Sequence, residues 1–154
     1  MITAFIVSLL VANLALNAQT LQGRVVRVAD GDTITVLDST NIQNKVRLVK
    51  IDAPEKSQAF GEVSRKHLAS LVASKEVKVE WTNKDKYGRV LGEVFVGTTN
   101  VNLRMVKDGL AWHYKHFDNT PTYAQAEVEA RAKKIGLWKD ANPIPPWEFR
   151  KKGK

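Results

Sequence analysis

Apolar and polar residues alternate along two short stretches of the chain, and this two-residue period is typical of β-strands. Residues 23–29 mix valine with arginine, residues 33–37 alternate again, and Asp30-Gly31 lies between them. An Asp-Gly pair between two such runs indicates a hairpin. A third β-rich run, Val46 to Ile51, stops at Asp52-Ala53-Pro54, because proline lacks a backbone donor and restricts the residue before it. The pattern therefore predicts a hairpin and a third strand that opens into a loop at Asp52.

The spacing of apolar residues becomes helical after this loop. From about residue 57 to residue 73 the predicted buried positions are Phe60, Val63, Leu68, Leu71 and Val72, whereas Ser64, Arg65 and Lys66 are left for solvent. Strand composition returns at Val77 to Trp81 and at Tyr87 to Val96, joined by a polar run over residues 83–86. The chain therefore has one amphipathic helix followed by two more strands, five strands in all.

Two further helices are predicted near the end of the chain. One covers residues 101–108, with Leu103, Val106 and Leu110 at spacings of three and four and Gly109 as its C-terminal cap. The last helix begins at Thr120-Pro121, since threonine can cap a helix and proline suits its first turn. Its predicted buried stripe is Ala124, Val128, Ala132 and Ile135. The proline-rich stretch 142–146 excludes regular helix, and Trp147 and Phe149 beyond it are candidates to pack back onto the domain.

The order of these elements constrains the fold class. Three short strands, a helix, two strands and two helices are compatible with a small closed barrel carrying helices, of the oligonucleotide-binding type. The length of 154 residues fits one domain. The absence of cysteine excludes disulfides, thiolate metal sites, a cysteine nucleophile and a lipoprotein anchor, so the fold rests on packing alone.

The charge of the chain is strongly positive. It carries 24 Lys and Arg against 16 Asp and Glu, a formal net charge of +8, and its isoelectric point is about 9.8. A surface of this kind attracts polyanions such as nucleic acids. Net charge also keeps proteins soluble, and charge alone does not decide between these two interpretations.

The first 23 residues contain no charged side chain, and Ile2 to Leu16 is mostly apolar. Asn13 and Asn17 interrupt this stretch, which is short against the roughly 20 residues that a membrane-spanning helix needs. Ala18 or Thr20 supplies a small residue for cleavage. We expect residues 1–20 to be a signal peptide and the protein to be exported, either secreted or periplasmic. An uncleaved membrane anchor is the alternative, because the segment lacks the usual positively charged start. With residues 1–20 as the signal peptide, residues 21–140 form the domain and residues 141–154 form a basic, proline-rich tail.

Four acidic residues flank the hairpin turn and the end of the third strand, namely Asp30, Asp32, Asp52 and Glu55. Taken singly, each is explained by a turn or by a solvated loop. As a set they suit a hard cation such as Ca²⁺, which takes several oxygen ligands in irregular geometry. Asp32, Asp52 and the backbone carbonyl of Ala53 could form such a site, although the spacing matches no EF-hand loop.

Two arginines are candidates for binding phosphate. Arg47 precedes Asp52 by five residues, and Arg89 follows the turn Lys86-Tyr87-Gly88. The guanidinium group presents planar paired donors that fit phosphate oxygens and can neutralise charge in a phosphoryl transition state. Each arginine taken alone is also explained as a solvated side chain on a barrel.

Four motifs together resemble the staphylococcal nuclease family. They are Val28-Ala29-Asp30-Gly31-Asp32-Thr33, Arg47 through Glu55, Asp85-Lys86-Tyr87-Gly88-Arg89, and Val101-Asn102-Leu103 through Gly109-Leu110-Ala111. They occur in the family's order with compatible gaps, and the resemblance covers residues 23 to about 138. Four ordered motifs are far more specific than any one of them.

This resemblance implies an α+β fold, a five-stranded oligonucleotide-binding barrel with three α-helices, and a monomeric Ca²⁺-dependent nuclease acting on DNA and RNA without a stable protein partner. It implies that Asp32, Asp52 and the Ala53 carbonyl ligate calcium, with Asp30 beside them. Glu55 is then the general base for water attack on phosphorus, and Arg47 and Arg89 stabilise the charge, leaving a 3′-phosphate.

The resemblance also suggests where the substrate is held. Lys86 and Tyr87 match positions that contact a terminal phosphate, and an aromatic residue after Gly109-Leu110-Ala111 stacks on a base. Tyr114 is the first candidate for this stacking and Phe117 the second, whereas Trp112 is equally compatible with the core.

Two other functions remain open at this point. The first is a catalytically inactive member of the family that binds nucleic acid through the same barrel. The presence of all five residues Asp32, Asp52, Glu55, Arg47 and Arg89 favours the enzyme. The second is a membrane-tethered basic binding module, which rests only on the N-terminal segment and the charge.

Overall fold

A computed structural model of the chain describes residues 17–153. The strands are β1 (Gln19–Asp30), β2 (Thr33–Asp38), β3 (Gln43–Leu48), β4 (Ile51–Asp52), β5 (Glu76–Lys84), β6 (Val90–Val96), β7 (Thr99–Asn100) and β8 (Trp112–His113). The helices are α1 (Gly61–Val72), α2 (Val101–Lys107), α3 (Pro121–Ala132) and α4 (Pro146–Lys152), with a 3-10 turn at Gly136–Lys139. The predicted signal peptide, residues 1–20, lies outside the described residues except for its last four. Within residues 17–153, no helix is both long and apolar enough to cross a membrane.

The five long strands close into a barrel. They lie in the order β3-β2-β1-β5-β6, and a parallel pairing of β3 with β6, with Val46 opposite Val90, joins the two ends of the sheet. Alternate side chains of these strands point inward, as the two-residue period predicts. The fully buried residues that they contribute include Ile34, Val36, Val46, Leu48, Val79 and Val94. The predicted α+β class and five-stranded barrel are therefore confirmed.

The predicted hairpin joins β1 to β2, and its turn is packed against α1. Asp30 pairs with Thr33 across the turn, and Gly31 lies between them. A Cβ atom at Gly31 would lie only 1.9 Å from the Ser64 hydroxyl, so this position requires glycine. The prediction that Ser64 faces solvent is wrong. Its side chain is fully buried because its hydroxyl donates to the Leu110 carbonyl at 2.6 Å.

The third β-rich run is broken into two pieces. β3 ends at Leu48, and Lys50 adopts a left-handed backbone conformation with φ of 69°. Ile51 and Asp52 then form β4, which pairs with Trp112 and His113 of β8 rather than with the barrel. The prediction of one continuous strand from Val46 to Ile51 is therefore wrong, and the break turns Asp52 away from the direction of β3.

The three predicted helices are present, but the buried face of α3 differs from the predicted one. The buried side chains are Tyr123, Ala126, Glu127 and Ala130, whereas Val128 is exposed. The predicted stripe is wrong because polar residues with partners face inward. Tyr123 donates its hydroxyl to Glu93 at 2.7 Å, and Glu127 accepts the His113 amide at 2.7 Å.

A fourth helix, α4, was not predicted. It begins at Pro146, after the non-helical proline-rich stretch. The Trp147 ring stacks on Tyr114, with centroids 5.5 Å apart and planes 16° apart, and meets Trp112 edge-on at 5.4 Å. The tail therefore packs back onto the domain beside β8.

Candidate active site

Arg47 and the acids Asp32 and Asp52 meet where the hairpin turn lies beside the end of β3. Arg47 is opposite Thr33 in the β2–β3 register, and the Leu48 amide donates to the Asp32 carbonyl at 2.9 Å. The Arg47 Nη2 atom lies 3.2 Å from Asp32 Oδ2 and 3.3 Å from Asp52 Oδ1. The two acids are 6% and 1% exposed. Two acids that lie twenty residues apart in the sequence thus share one guanidinium group.

The loop after β4 is tied to the same cluster. The Ala53 amide donates to Asp32 Oδ2 at 2.8 Å, which holds the Asp52-Ala53 backbone against the hairpin turn. Asp30 accepts the Asp32 amide on its Oδ1 atom at 3.1 Å. The structure therefore brings together all four positions that the sequence assigned to a metal site, Asp30, Asp32, Asp52 and Ala53.

Burial gives this cluster unusual electrostatics. The pKa of Asp30 is raised to about 6, first by burial and then by the neighbouring Asp32 carboxylate. Burial also raises the pKa of Asp52, although hydrogen bonding to Arg150 and the charge of Arg47 oppose that rise. Loss of hydration on burial is the largest cause of both rises.

Asp32 and Asp52 offer oxygen donors of the kind that a hard cation such as calcium prefers. Within residues 17–153, no group of three or more His, Cys, Asp or Glu side chains is arranged to hold a metal ion. A cation bound here would therefore have to complete its ligand set with a backbone carbonyl and water.

Glu55 lies at the margin of the cluster, and an arginine from α4 connects it to Asp52. The Arg150 Nη1 atom is 2.7 Å from Glu55 Oε1 and 3.1 Å from Asp52 Oδ1, while its Nη2 atom is 2.8 Å from Asp52 Oδ2. The sequence did not single out Arg150. About 95 residues separate it from the acids, and the only local signal was the basic tail with a tryptophan three residues earlier.

A groove of about 770 Å³ runs from Arg47 along the barrel, and it places Arg89 and Arg47 in one cavity. Arg89 is held by Asp85, with 2.7 Å between the Arg89 Nε atom and Asp85 Oδ2. Lys86 and Tyr87 belong to the same turn but do not line this groove, and both are exposed. The Lys86 ammonium group lies 5.1 Å from the centre of the Tyr87 ring. The turn therefore orients Arg89 inward and leaves the other two residues outside the groove.

Two aromatic residues line the other part of the groove. Tyr114 is half-buried and stacked on Trp147, whereas Phe117 is 80% exposed and meets the Tyr114 ring edge-on at 4.9 Å. Trp112 is buried in a small cluster with Trp138, so it belongs to the core. Of the two stacking candidates, Phe117 offers more free surface.

The fold and the site together define an α+β barrel of oligonucleotide-binding type, in which Arg47 contacts two buried acids and lines the same groove as Arg89. A family profile described as "Staphylococcal nuclease homologue" matches residues 45–140. The chain is 51% identical over 131 residues to a protein of Haemophilus influenzae named "Uncharacterized endonuclease", covering 85% of this chain and 74% of that protein. It is 44% identical over 146 residues to a protein of Shigella flexneri named "Micrococcal nuclease", covering 86% of this chain and 82% of that protein.

A further relative is a plant protein. The chain is 38% identical over 107 residues to a rice protein named "Probable staphylococcal-like nuclease CAN2", covering 70% of this chain and 29% of that protein. The chain belongs to the staphylococcal nuclease family. The family and these relatives support a nuclease, a hydrolase of phosphodiester bonds in nucleic acids.

Proposed function

We propose that this nuclease depends on calcium and cleaves phosphodiester bonds of both DNA and RNA, leaving 3′-phosphate products. The observation that carries the proposal is the pair of buried carboxylates, Asp32 and Asp52, joined by Arg47 beside Glu55. Arg47 also lines a groove together with Arg89.

The residues that would hold calcium are Asp32, Asp52 and the carbonyl of Ala53, with Asp30 beside them. When bound, calcium supplies positive charge that draws electron density from the phosphate and stabilises its transition state. The Ala53–Asp32 hydrogen bond at 2.8 Å keeps the loop and the hairpin turn at a fixed spacing. Because the oxygen donors are already held at a fixed spacing, calcium binding would cost less conformational entropy.

Glu55 is the proposed general base. Its carboxylate lies at the edge of the cluster and is partly exposed, so water can reach it. It takes a proton from the water that attacks phosphorus, while Arg47 and Arg89 donate hydrogen bonds to the phosphoryl oxygens, where charge increases. The bond between phosphorus and the 5′-oxygen breaks, the 5′-oxygen takes a proton from solvent water and leaves as a hydroxyl group, and the phosphate stays on the 3′-oxygen.

The groove is the proposed binding surface for a single strand. Arg47, Lys50 and Arg89 are cationic residues that line it, and Tyr114 and Phe117 are its base-stacking candidates. Lys86 and Tyr87 project from the turn outside the groove, where they can contact a terminal phosphate. The net charge of +8 strengthens the attraction of the whole molecule for a polyanion.

The test is cleavage of single-stranded DNA and of RNA by the purified chain in calcium and in EGTA. We expect cleavage only in calcium and a loss of about 10²- to 10⁴-fold in rate for Glu55→Gln. Glu129→Gln, which removes an exposed glutamate on α3, serves as the matched control and is expected to cleave like the wild type. Undiminished cleavage in EGTA would contradict the calcium mechanism. Tight binding without cleavage under any divalent cation would favour an inactive nucleic-acid-binding protein.

We further propose that the protein is exported as a monomer after cleavage of its N-terminal segment. β1 begins at Gln19, which is paired with Trp81, and Thr20 is paired with Glu80. Cleavage after Ala18 would keep the whole of β1, whereas cleavage after Thr20 would remove its first two residues. N-terminal sequencing of the exported protein tests this proposal, and an intact Met1 would support the anchor instead. Light scattering of the purified protein tests the monomer.

A further inference from the structure

The C-terminal helix α4 places a cation in the acidic cluster. The Arg150 guanidinium group bonds both Asp52 oxygens and one Glu55 oxygen, at 2.7 to 3.1 Å. Its position differs from that of Arg47, which is 15% exposed and extends from the barrel wall. Arg150 is 40% exposed and comes from the far end of the chain. Arg150 therefore covers the acidic cluster, although it belongs to α4 and not to the barrel.

The atoms that Arg150 contacts are those that the proposed reaction needs. Asp52 supplies a calcium ligand and Glu55 accepts a proton from water, if the proposed function holds. A guanidinium group that takes up the lone pairs of these oxygens competes with a cation at Asp52 and with water at Glu55. A divalent cation placed beside Arg150 would also be repelled by its charge.

We propose that α4 is an autoinhibitory helix, in which Arg150 pairs with the acids and must be displaced for a divalent cation to bind them. This inference rests on the proposed function, because it takes Asp52 as a metal ligand and Glu55 as the base. It adds that calcium binding and the undocking of Arg150 are one coupled event.

The way in which α4 is attached to the domain is compatible with the displacement of Arg150 by a cation. Within Pro146–Lys152, which the structure describes throughout, Pro146 is the only buried residue. The helix is held by the Trp147 ring on Tyr114 and Trp112, and by Gln58, which donates to the Ile144 carbonyl. A helix with so few buried contacts opens at a lower free energy than the barrel does.

The direct test is calcium affinity, measured by titration calorimetry without substrate. Arg150→Ala should bind calcium about 10-fold more tightly than the wild type, within the usual range for coupled equilibria. Arg150→Lys keeps the charge but loses the paired donors, so its affinity should be intermediate. The matched control is Lys152→Ala, which removes one exposed charge from the same helix and should change the affinity less than about twofold. Circular dichroism of each variant checks that it is folded.

A second measurement follows the helix itself. Amide hydrogen exchange in residues 147–152 of the wild type should accelerate when calcium is added, because Arg150 leaves its partners. Calcium binding by Arg150→Ala that is no tighter than that of the wild type would overturn this inference but not the proposed function. Amide exchange in α4 that does not change when calcium is added would do the same. If none of these proteins bound calcium, the proposed metal site and the inference would both be wrong.

Discussion

The Arg47 Nη2 atom lies 3.3 Å from Asp52 Oδ1, although the strand that carries Arg47 ends one residue later. The left-handed backbone at Lys50 lets the chain turn back, so that a residue five positions further on reaches the arginine. The same guanidinium group also meets Asp32 at 3.2 Å. One side chain thereby links three separate parts of the backbone.

Replacing Arg47 should therefore affect both activity and stability. Arg47→Ala should lower kcat about 10³-fold, since an arginine that stabilises phosphoryl charge contributes on that scale. It should also lower the free energy of unfolding of the metal-free chain by about 1–3 kcal/mol, because two buried acids lose a partner.

Arg47→Lys distinguishes the effect of Arg47 on activity from its effect on stability. Lysine keeps the charge beside Asp32 and Asp52, so most of the stability should return in urea denaturation. The activity should stay at least about 10-fold below the wild type, because lysine lacks the planar pair of donors. Full activity in Arg47→Lys would show that only the charge matters at this position.

Asp85 is expected to position Arg89. Its Oδ2 atom lies 2.7 Å from the Arg89 Nε atom, and its Oδ1 atom accepts the amides of Tyr87 and Arg89 at 2.9 Å. Asp85→Asn keeps an acceptor for the turn but loses the ion pair, so kcat should fall about 10-fold while stability changes by less than about 1 kcal/mol.

A matched control for Asp85→Asn is available in another turn. Asp38 accepts the amides of Thr40 and Ile42 in the same manner, outside the groove. Asp38→Asn should leave cleavage unchanged. If both variants lost activity equally, the effect would come from the turn and not from Arg89.

The barrel strands were predictable because their signals are local. Alternation of apolar residues marks each barrel strand, and the Asp30-Gly31 pair marks the hairpin. The acids and arginines were identified only through the order of four motifs, since each was ambiguous alone. Their contact with one another depends on strand register, which the residue types do not encode locally.

Other features could not be predicted, for physical reasons. Ser64 and Glu127 are polar residues in buried positions, and partners elsewhere in the fold satisfy them, a backbone carbonyl for Ser64 and a backbone amide with two basic side chains for Glu127. Arg150 contacts acids on the opposite half of the chain, and no periodic pattern relates them. Pairings of this kind depend on the finished tertiary structure.

Phe117 is expected to contribute more to binding of single strands than Tyr114. Phe117 is 80% exposed in the groove, whereas Tyr114 is already stacked on Trp147. Base stacking on an aromatic ring is worth about 1–3 kcal/mol, so Phe117→Ala should weaken binding of a short DNA strand about 5- to 100-fold. Fluorescence anisotropy in EGTA measures binding without cleavage. Val128→Ala, at another exposed apolar position, is the control. A larger loss in Tyr114→Ala than in Phe117→Ala would reverse the assignment.

Glu93 should make the stability of the fold depend on acid pH. Burial alone would raise the pKa of Glu93, but hydrogen bonds from Lys50, Tyr123 and Asn100 outweigh it and hold the pKa below the ordinary value of 4.5. These bonds join α3 and β7 to the barrel wall at 2.6 to 2.8 Å. Because the folded state favours the ionised form, the contribution of Glu93 is present above pH 4.5 and is lost as the pH falls through the lower folded value.

Glu93→Gln should therefore be less stable than the wild type by about 1–2 kcal/mol at pH 7, because a charged hydrogen bond to Lys50 is lost. Urea denaturation between pH 7 and pH 3 should show this difference narrowing as the wild-type carboxylate becomes protonated. Glu80→Gln, at an exposed glutamate paired with Lys78, should follow the wild type at every pH. A difference between Glu93→Gln and the wild type that stays constant down to pH 3 would mean that packing of the side chain, and not its charge, anchors α3 to the barrel.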